Sequence, residues 1–394
     1  MATKHALTIV LTGGGSGGHI TPLFSLARAL KERRPDCRLI YVGFKGDRFS
    51  LPKSEREQFS RVYKIPAGKF RRYHGESLWS HLFDIKTLAL NIRDGLRVMG
   101  GFVASVRILR RHRPSVVFSK GGFVSVPVGT AAKVLGIPIV THDSDASAGL
   151  ANRIVGRWAV LHTTGLPAGY YDYPPDKTIQ VGIPLDPRIK PVDETVQTKY
   201  KQALGVPAKA LVLLVAGGSL GARELNTKMG AVGQKLLAKD PNLYIIHVCG
   251  AGNLPDTEAA YRPDEMTSRR LRIIEYSNDF YQLVGAADLI ISRAGATAIA
   301  EFAMAGKACL LLPAVHLAGG HQLANAQALA EQGAVRVLPA AASTQELKDR
   351  IIKLLLSPAA RNRLAERLKA TAQPAAAGKL AEQILKIVNT KETV

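Results

Sequence analysis

Short apolar runs recur along this chain, each closed by a glycine turn and followed by a stretch with helical spacing. Ala6 to Leu11 reads as a strand and leads into Thr12 to His19, TGGGSGGH. Beyond that loop Leu23, Leu26, Ala27 and Leu30 recur at helical spacing, which predicts a helix from about Thr21. Arg38 to Val42 is a second strand, and Ser115 to Phe118 another, running into the glycine turn Lys120 to Pro127, KGGFVSVP. Ile137 to Thr141 ends in His142-Asp143-Ser144-Asp145. Strands alternating with helices in this way predict parallel sheets covered on both faces.

The opening pattern then returns. Ala210 to Val215 is an apolar strand, Ala216 to Ala222 (AGGSLGA) a glycine loop, and Arg223 to Leu237 a helix. Two such starts roughly 200 residues apart predict two similar Rossmann-like domains. Between them VGIPLDPRIKPVDET is rich in proline and charge and poor in periodicity, which marks a linker. The expected division is 1–181, a linker at 182–209, a second domain at 210–356, and helices at 357–394 that are free to return to the first domain. Within the second domain, Asp288 to Ile291 is a strand, the chain turns at Gly295, and a helix runs to about Ala305. The strand Ala308 to Leu312 ends at Pro313, and a glycine-rich loop opens another helix near His321. In such layouts ligands sit at the carboxyl ends of the strands, and a helix N-terminus there suits a diphosphate. Glu301 lies inside that helix, either as a solvated helix carboxylate or as an acceptor for both hydroxyls of a ribose.

Charge changes the picture of partners. The 394 residues carry 53 basic and 31 acidic side chains, a net +22. Such an excess favours a polyanionic partner. With no zinc-finger or RNA-recognition motif and 6% aromatics, an anionic membrane surface is favoured and no nucleic acid is expected. No apolar run approaches the roughly eighteen residues of a spanning helix. The N-terminus enters its first strand directly after His5, so no signal peptide is expected. Cys37, Cys249 and Cys309 are far apart without a CxxC, which fits a reducing compartment. From Ala67 to Arg113 basic residues interleave with large apolar ones. Lys69, Arg71, Arg72, Trp79, Leu82 and Phe83 read as an interfacial membrane patch, and equally as parts of two ordinary amphipathic helices.

Two chemistries have weak signals. Gly13-x-Gly15-x-x-Gly18 has dinucleotide spacing, but the end of the second strand carries Phe44 and Lys45 where a ribose-binding acid belongs, and Asp47 comes late. A dinucleotide-dependent oxidoreductase is therefore a minor alternative. Asp143-Ser144-Asp145 invites a magnesium or manganese ion, yet no other cluster supports it, and no metal is expected.

Taken together, TGGGSGGHITP, KGGFVSVP, Gly149-Leu150-x-Asn152, GGSLGA, ISRAGATAIAE and HQLANA resemble the MurG family over most of the chain. These are bacterial N-acetylglucosaminyltransferases that make the last lipid-linked precursor of the cell wall. The resemblance implies a GT-B fold, an α/β architecture with two parallel sheets facing a central cleft. It also implies an inverting hexosyl transfer without metal or cofactor. The implied donor is UDP-N-acetylglucosamine, and the implied acceptor is undecaprenyl-diphosphate muramoyl-pentapeptide at the cytoplasmic face of the cell membrane, where the enzyme would be peripheral.

By the same resemblance, Gly218 and Ser219 match the donor-phosphate loop, Tyr276 the aromatic that caps uracil, and Ser277 its neighbour. Arg293, Gly295, Ala296 and Thr297 match the turn near the nucleotide, Glu301 the ribose carboxylate, and Gln322 with Asn325 the pair near the sugar hydroxyls. Gly14, Gly15, Ser16, Gly17 and Gly18 fall where the acceptor diphosphate would lie, and His19 matches a loop histidine that is a candidate base. A histidine just before a helix start at Thr21-Pro22 faces the positive end of the dipole, which disfavours imidazolium. Asp143 and Asp145 are the rival bases. Three stretches depart from the family pattern. Gly182-Ile183-Pro184-Leu185-Asp186 replaces Gly-Asn-Pro-x-Arg, with Arg188 a substitute for the missing arginine. His142-Asp143-Ser144-Asp145 replaces His-Glu-x-Asn, and Gly319-Gly320 an acidic pair. A related UDP-sugar transferase with another lipid acceptor, a non-catalytic recruiter and a UDP-sugar epimerase stay open.

Overall fold

The computed structural model describes residues 7–15, 17–47, 52–68, 85–314 and 320–392. The chain divides into two compact units, Met1–Asp186 with Ala375–Val394, and Pro187–Pro374. In unit 1 the strands are β1 (Thr8–Thr12), β2 (Arg38–Phe44), β3 (Arg61–Ile65), β4 (Val116–Ser119), β5 (Ile139–Asp143), β6 (Leu161–Thr164) and β7 (Thr178–Gln180). They form one parallel sheet in the order β3-β2-β1-β4-β5-β6-β7. Unit 2 repeats the plan with β8 (Leu211–Ala216), β9 (Leu243–Val248), β10 (Leu271–Ile274), β11 (Leu289–Ser292), β12 (Cys309–Leu311) and β13 (Arg336–Val337). Its parallel order is β10-β9-β8-β11-β12-β13. Each unit thus has the Rossmann winding, in which strand order reverses beside the first strand and leaves a ligand crevice there.

The central strands earn their place by composition. β1, β4 and β11 are buried along their whole length, as expected of parallel strands covered on both faces. Edge strands β3 and β7 are partly exposed. The region from 357 onward is divided between the units. The Pro358–Lys369 helix packs with unit 2 through Leu364 and Leu368. The Ala376–Glu392 helix buries Leu380, Ala381, Ile384 and Val388 in the unit 1 core, against Ile20, Leu23 and Leu30 of the Gly17–Arg33 helix.

Where the sequence suggests a linker over 182–209, the structure places the Glu194–Ala203 helix, with Asp193 as its N-cap accepting from Val196 N at 2.8 Å. It is fastened into unit 2. Buried Lys201 Nζ reaches Asp288 Oδ2 and the Ala210 carbonyl, at 2.8 and 2.7 Å, and Gln197 Nε2 donates to Asp288 Oδ1. Tyr200 lies so close to Gly285 that any side chain there would collide with its ring. The proline-rich flanks hide a helix held to unit 2 by a buried ion pair and by the packing of Tyr200. The first helix also differs from expectation. It begins at Gly17, not Thr21, so Pro22 lies inside it and forgoes one backbone bond.

The returning helix makes a stability prediction. Ile384→Ala should cost about 2–5 kcal/mol, the usual range for a fully buried isoleucine. It should lower the urea midpoint, whereas Leu356→Ala, at an exposed position, should not.

Candidate active site

In unit 2 the register pairs Ala216 of β8 with Ser292 of β11, so the loops that follow leave the sheet side by side. Ser292 Oγ donates across to the Ala216 carbonyl at 2.8 Å and ties the two ends together. The first loop needs its glycines: Gly218 has φ +87° and Gly221 φ +73°, left-handed conformations in which a side chain is strained. It opens the Arg223–Lys239 helix, and the second loop opens the Ala296–Ala305 helix. Neither helix takes a side-chain cap, so amides of both first turns are presented at the switch point. Gly295, Ala296 and Thr297 form the second of these N-termini, partly exposed, and half-buried Glu301 follows a turn and a half inside the helix. Two uncapped helix N-termini at one strand edge are an arrangement that suits an anion.

Several residues that the sequence points toward a ligand also hold these loops together. Arg293 donates through Nη1 to the Leu312 carbonyl at 3.0 Å, and its Nη2 lies 2.9 Å from Glu224 Oε2 on the neighbouring helix. Burial would raise the Glu224 carboxyl, yet Arg293 and then Lys228 hold it below the ordinary glutamate value. Asn325 is buried and donates to the Ala294 carbonyl at 3.0 Å, which fixes the turn before Gly295. Gln322 Oε1 accepts from Ala314 N at 3.0 Å. Tyr276 is exposed beyond β10, and Ser277 Oγ accepts from Asp279 N at 3.1 Å. Arg188 joins this corner of unit 2. Its guanidinium lies over the Tyr281 ring, 4.7 Å from the centroid, pairs with Asp279 Oδ1 at 3.2 Å and donates to the Asn278 carbonyl.

Unit 1 builds a second glycine-lined crevice between β1 and β4, where Thr12 pairs with Ser119. Gly121 and Gly122 have φ of +94° and +77°, and a Cβ on Gly122 would collide with the Gly14 carbonyl. The two glycine turns therefore interlock. His19 is the third residue of the first helix, and its Nδ1 lies 3.3 Å from the Lys120 carbonyl. A carbonyl can only accept, so this contact fits the Nδ1–H tautomer, in which Nε2 is the basic ring nitrogen. Ser16 lies outside the described residues, and so do Lys69, Arg71, Arg72, Trp79, Leu82 and Phe83.

The rival bases separate. Asp143 is buried, accepting from Gly149 N at 3.0 Å and from the Tyr173 hydroxyl at 2.8 Å. Burial pushes its pKa up, against those two bonds, Lys120 and Asn152. Its oxygens are committed to the fold. His142 is likewise buried, with Nδ1 3.1 Å from Thr163 Oγ1, and burial and then Lys120 hold it well below the ordinary histidine range. Asn152 spans the gap, donating to the His142 carbonyl and accepting from Ser119 Oγ, both at 2.9 Å. Asp145 alone of the pair is partly exposed. Among the described residues no three His, Cys, Asp or Glu side chains are grouped to hold a metal. Sequence reasoning missed Lys120, only 3% exposed, whose one available signal was its place at a strand end before two glycines. It also missed Tyr173, which stacks on His162 with centroids 3.9 Å apart.

Two Rossmann units with glycine loops at both switch points make up a GT-B fold. The chain matches the glycosyltransferase family 28 N-terminal domain over residues 9–161 and the family 28 C-terminal domain over 212–392. A UDP-N-acetylglucosamine--N-acetylmuramyl-(pentapeptide) pyrophosphoryl-undecaprenol N-acetylglucosamine transferase from Clostridium kluyveri is 33% identical, covering 96% of this chain and 99% of that one. A numbered form from Bacillus anthracis is 35% identical over 84% of this chain and 86% of its own length. Acinetobacter baumannii MurG shares the fold, with a TM-score of 0.69 at 24% identity over 96% and 99% of the two chains. So does a UDP co-structure of Staphylococcus aureus MnaA, with a TM-score of 0.68 at 14% identity over 97% of each chain. The chain belongs to glycosyltransferase family 28 and, within it, to the MurG family.

Proposed function

We propose that this enzyme moves N-acetylglucosamine from UDP-N-acetylglucosamine to an undecaprenyl-diphosphate-linked muramoyl-pentapeptide, with inversion. The observation that carries the donor half is the pair of uncapped helix N-termini beside Glu301 in unit 2. Main-chain amides aimed at one point stabilise the negative charge that develops on departing UDP, and they need no reorganisation as it forms. Glu301 takes the ribose hydroxyls. In unit 1 the first glycine loop takes the acceptor diphosphate, and His19 Nε2 receives the proton of the attacking hydroxyl. The new C–O bond forms as the bond to UDP breaks, and the histidine later releases the proton to solvent. The altered residues at 142–145 and 182–186 bear on the acceptor, so UDP release should be followed with a panel of UDP-sugars and several lipid-linked acceptors. Release that depends on the muramoyl-pentapeptide lipid supports the reading; sugar inversion without any acceptor would make the protein an epimerase.

We also place the enzyme peripherally on the cytoplasmic face of the membrane. No helix among the described residues is long and apolar enough to cross one. The Ile85–His112 helix supports a surface mode. Ile92, Leu96, Met99 and Val103 are exposed at spacings of four, three and four, so they share one stripe opposite the buried Asp94, Gly101 and Ser105. Arg93, Arg97 and Arg107 lie along one side of it, Arg93 and Arg97 each reaching Asp94 Oδ1 at 3.4 Å. Exposed apolar side chains beside arginines are the pattern of an interfacial helix.

Three outcomes follow from these assignments. Glu301→Ala removes charge-assisted hydrogen bonds worth about 1.5–3 kcal/mol each. Calorimetry should show UDP affinity lowered at least about tenfold, and unchanged affinity in a folded variant would refute the ribose role. His19→Gln keeps hydrogen bonding but accepts no proton, so kcat should drop by roughly 10²–10⁴ with UDP affinity nearly unchanged. A near-normal kcat would leave His19 as a positioning group and move the base to Asp145. For the membrane, Leu96→Glu with Met99→Glu should release the protein from anionic vesicles while UDP binding persists; undiminished co-sedimentation would show that the stripe is not the contact.

A further inference from the structure

Asp47 follows β2 in a tight turn, closed by a bond from its own amide to the Phe44 carbonyl at 3.2 Å. Its carboxylate folds back into the first glycine loop. Oδ1 accepts from Gly15 N at 2.7 Å and Oδ2 from Phe44 N at 3.3 Å. A Cβ built on Gly14 would come within 2.9 Å of Oδ2, so the carboxylate lies along the loop and not merely at its edge. Gly15 has φ +94°, and an anionic oxygen on a glycine amide in such a turn is how these loops hold phosphate. A carboxylate of the protein itself stands where a ligand oxygen would stand.

We propose that the Asp47 carboxylate is a stand-in for a phosphate oxygen at the Gly15 amide, which the acceptor diphosphate must displace, making Asp47 a specificity-determining residue on the acceptor side. The inference rests on the reading above that this loop takes the acceptor diphosphate. Two anions cannot share one amide donor without repulsion, so the incoming diphosphate either drives Asp47 to protonate or swings it away. The surroundings favour protonation. Burial raises the Asp47 pKa, against the two amide bonds and Lys64 on β3. Tyr41 of β2, whose hydroxyl donates to the Gly13 carbonyl, is held neutral, its pKa raised by burial and then by Asp47. Phe123 and Val124, which border Gly15 and Gly14, add no charge, and Lys45 in the turn is exposed. Because its pKa is already raised and an anion raises it further, acceptor binding takes up a proton and strengthens as pH falls through that pKa.

Asp47→Asn tests this in the full chain, since the amide oxygen still accepts from Gly15 N while the charge is gone. With UDP at saturation, inorganic pyrophosphate should bind the variant about tenfold more tightly than the wild type at pH 7.5, the scale of one repelling charge. The gap should narrow as pH falls and wild-type Asp47 takes up its proton. In transfer assays the change should fall on the acceptor KM, which decreases, and not on UDP affinity. A residue that only anchors the loop gives the opposite sign, weaker or equal binding in the variant with a gap that ignores pH, and that result overturns the proposal. So does failure of both proteins to bind pyrophosphate. If the wild type never uses a diphosphate lipid, the functional reading fails on its own, and the pyrophosphate comparison still decides Asp47. Asp47→Ser, with the same expected pH dependence, replaces the asparagine variant if that one does not fold.

Discussion

Everything at both sites depends on main-chain amides held at the carboxyl edge of a parallel sheet. An amide donor carries no net charge and needs no counter-ion, so it can wait unligated where an arginine would seek a partner. Its direction must then be fixed by the fold. In unit 2 that is done by the β8–β11 register, the Ser292 bond to Ala216 and the bracing of Arg293 by Glu224. In unit 1 it is done by the interlock of Gly122 with Gly14 and by Tyr41 on the Gly13 carbonyl. The glycines allow close approach, and the buried side chains behind them remove the freedom that glycine would otherwise bring.

This arrangement explains why so many polar residues near the loops turn inward. Asn325, Arg293 and Asn152 each bind a carbonyl at a strand or turn end. An unmet buried carbonyl costs about 1–3 kcal/mol, and three such sites cluster where the chain leaves its ladders and the backbone has no other partner. Residues of this kind read as ligand contacts in a sequence because they sit in the glycine-rich motifs of the strand ends. What the structure shows is that they hold the loops.

The fold was legible where a single local rule decides it. Fully apolar strands such as β1 and β11, each followed by glycines, announce a doubly wound unit, and their repetition announces two. Reading failed where the partner is distant in sequence. The Glu194–Ala203 helix looks like a charged linker until Lys201 meets Asp288, 87 positions later. The return of the Ala376–Glu392 helix to unit 1 is open in the sequence, where its apolar stripe shows, though not that the Gly17–Arg33 helix would cover it. The start of that first helix was misplaced because Gly17 and Gly18 are poor helix formers and Pro22 looks like an N-terminal residue. Tertiary contact outweighs both preferences. At the candidate site, Glu301 and His19 stand out as types in motifs; Asp47 reads only as a late ribose acid and Lys120 as no site residue at all, since their contacts depend on which loop they touch.

The departure at 142–145 gains meaning from the same logic. An aspartate stands where the family has glutamate, and one fewer methylene keeps the carboxylate close to the backbone. At that reach it meets the Gly149 amide and the Tyr173 hydroxyl. Gly149 caps the short Leu150–Val155 helix that carries Asn152, so Asp143 steadies the residue that bridges β4 and β5. Lys120, buried at the neighbouring strand end, offsets the charge of Asp143 and Asp145 from within the protein. A carboxylate spent this way has little left for substrate. Of the two aspartates, only Asp145 is partly exposed. Negative charge at these strand ends is thus met from within the fold, by Lys120 near Asp143 and Asp145 and by the Gly15 amide at Asp47.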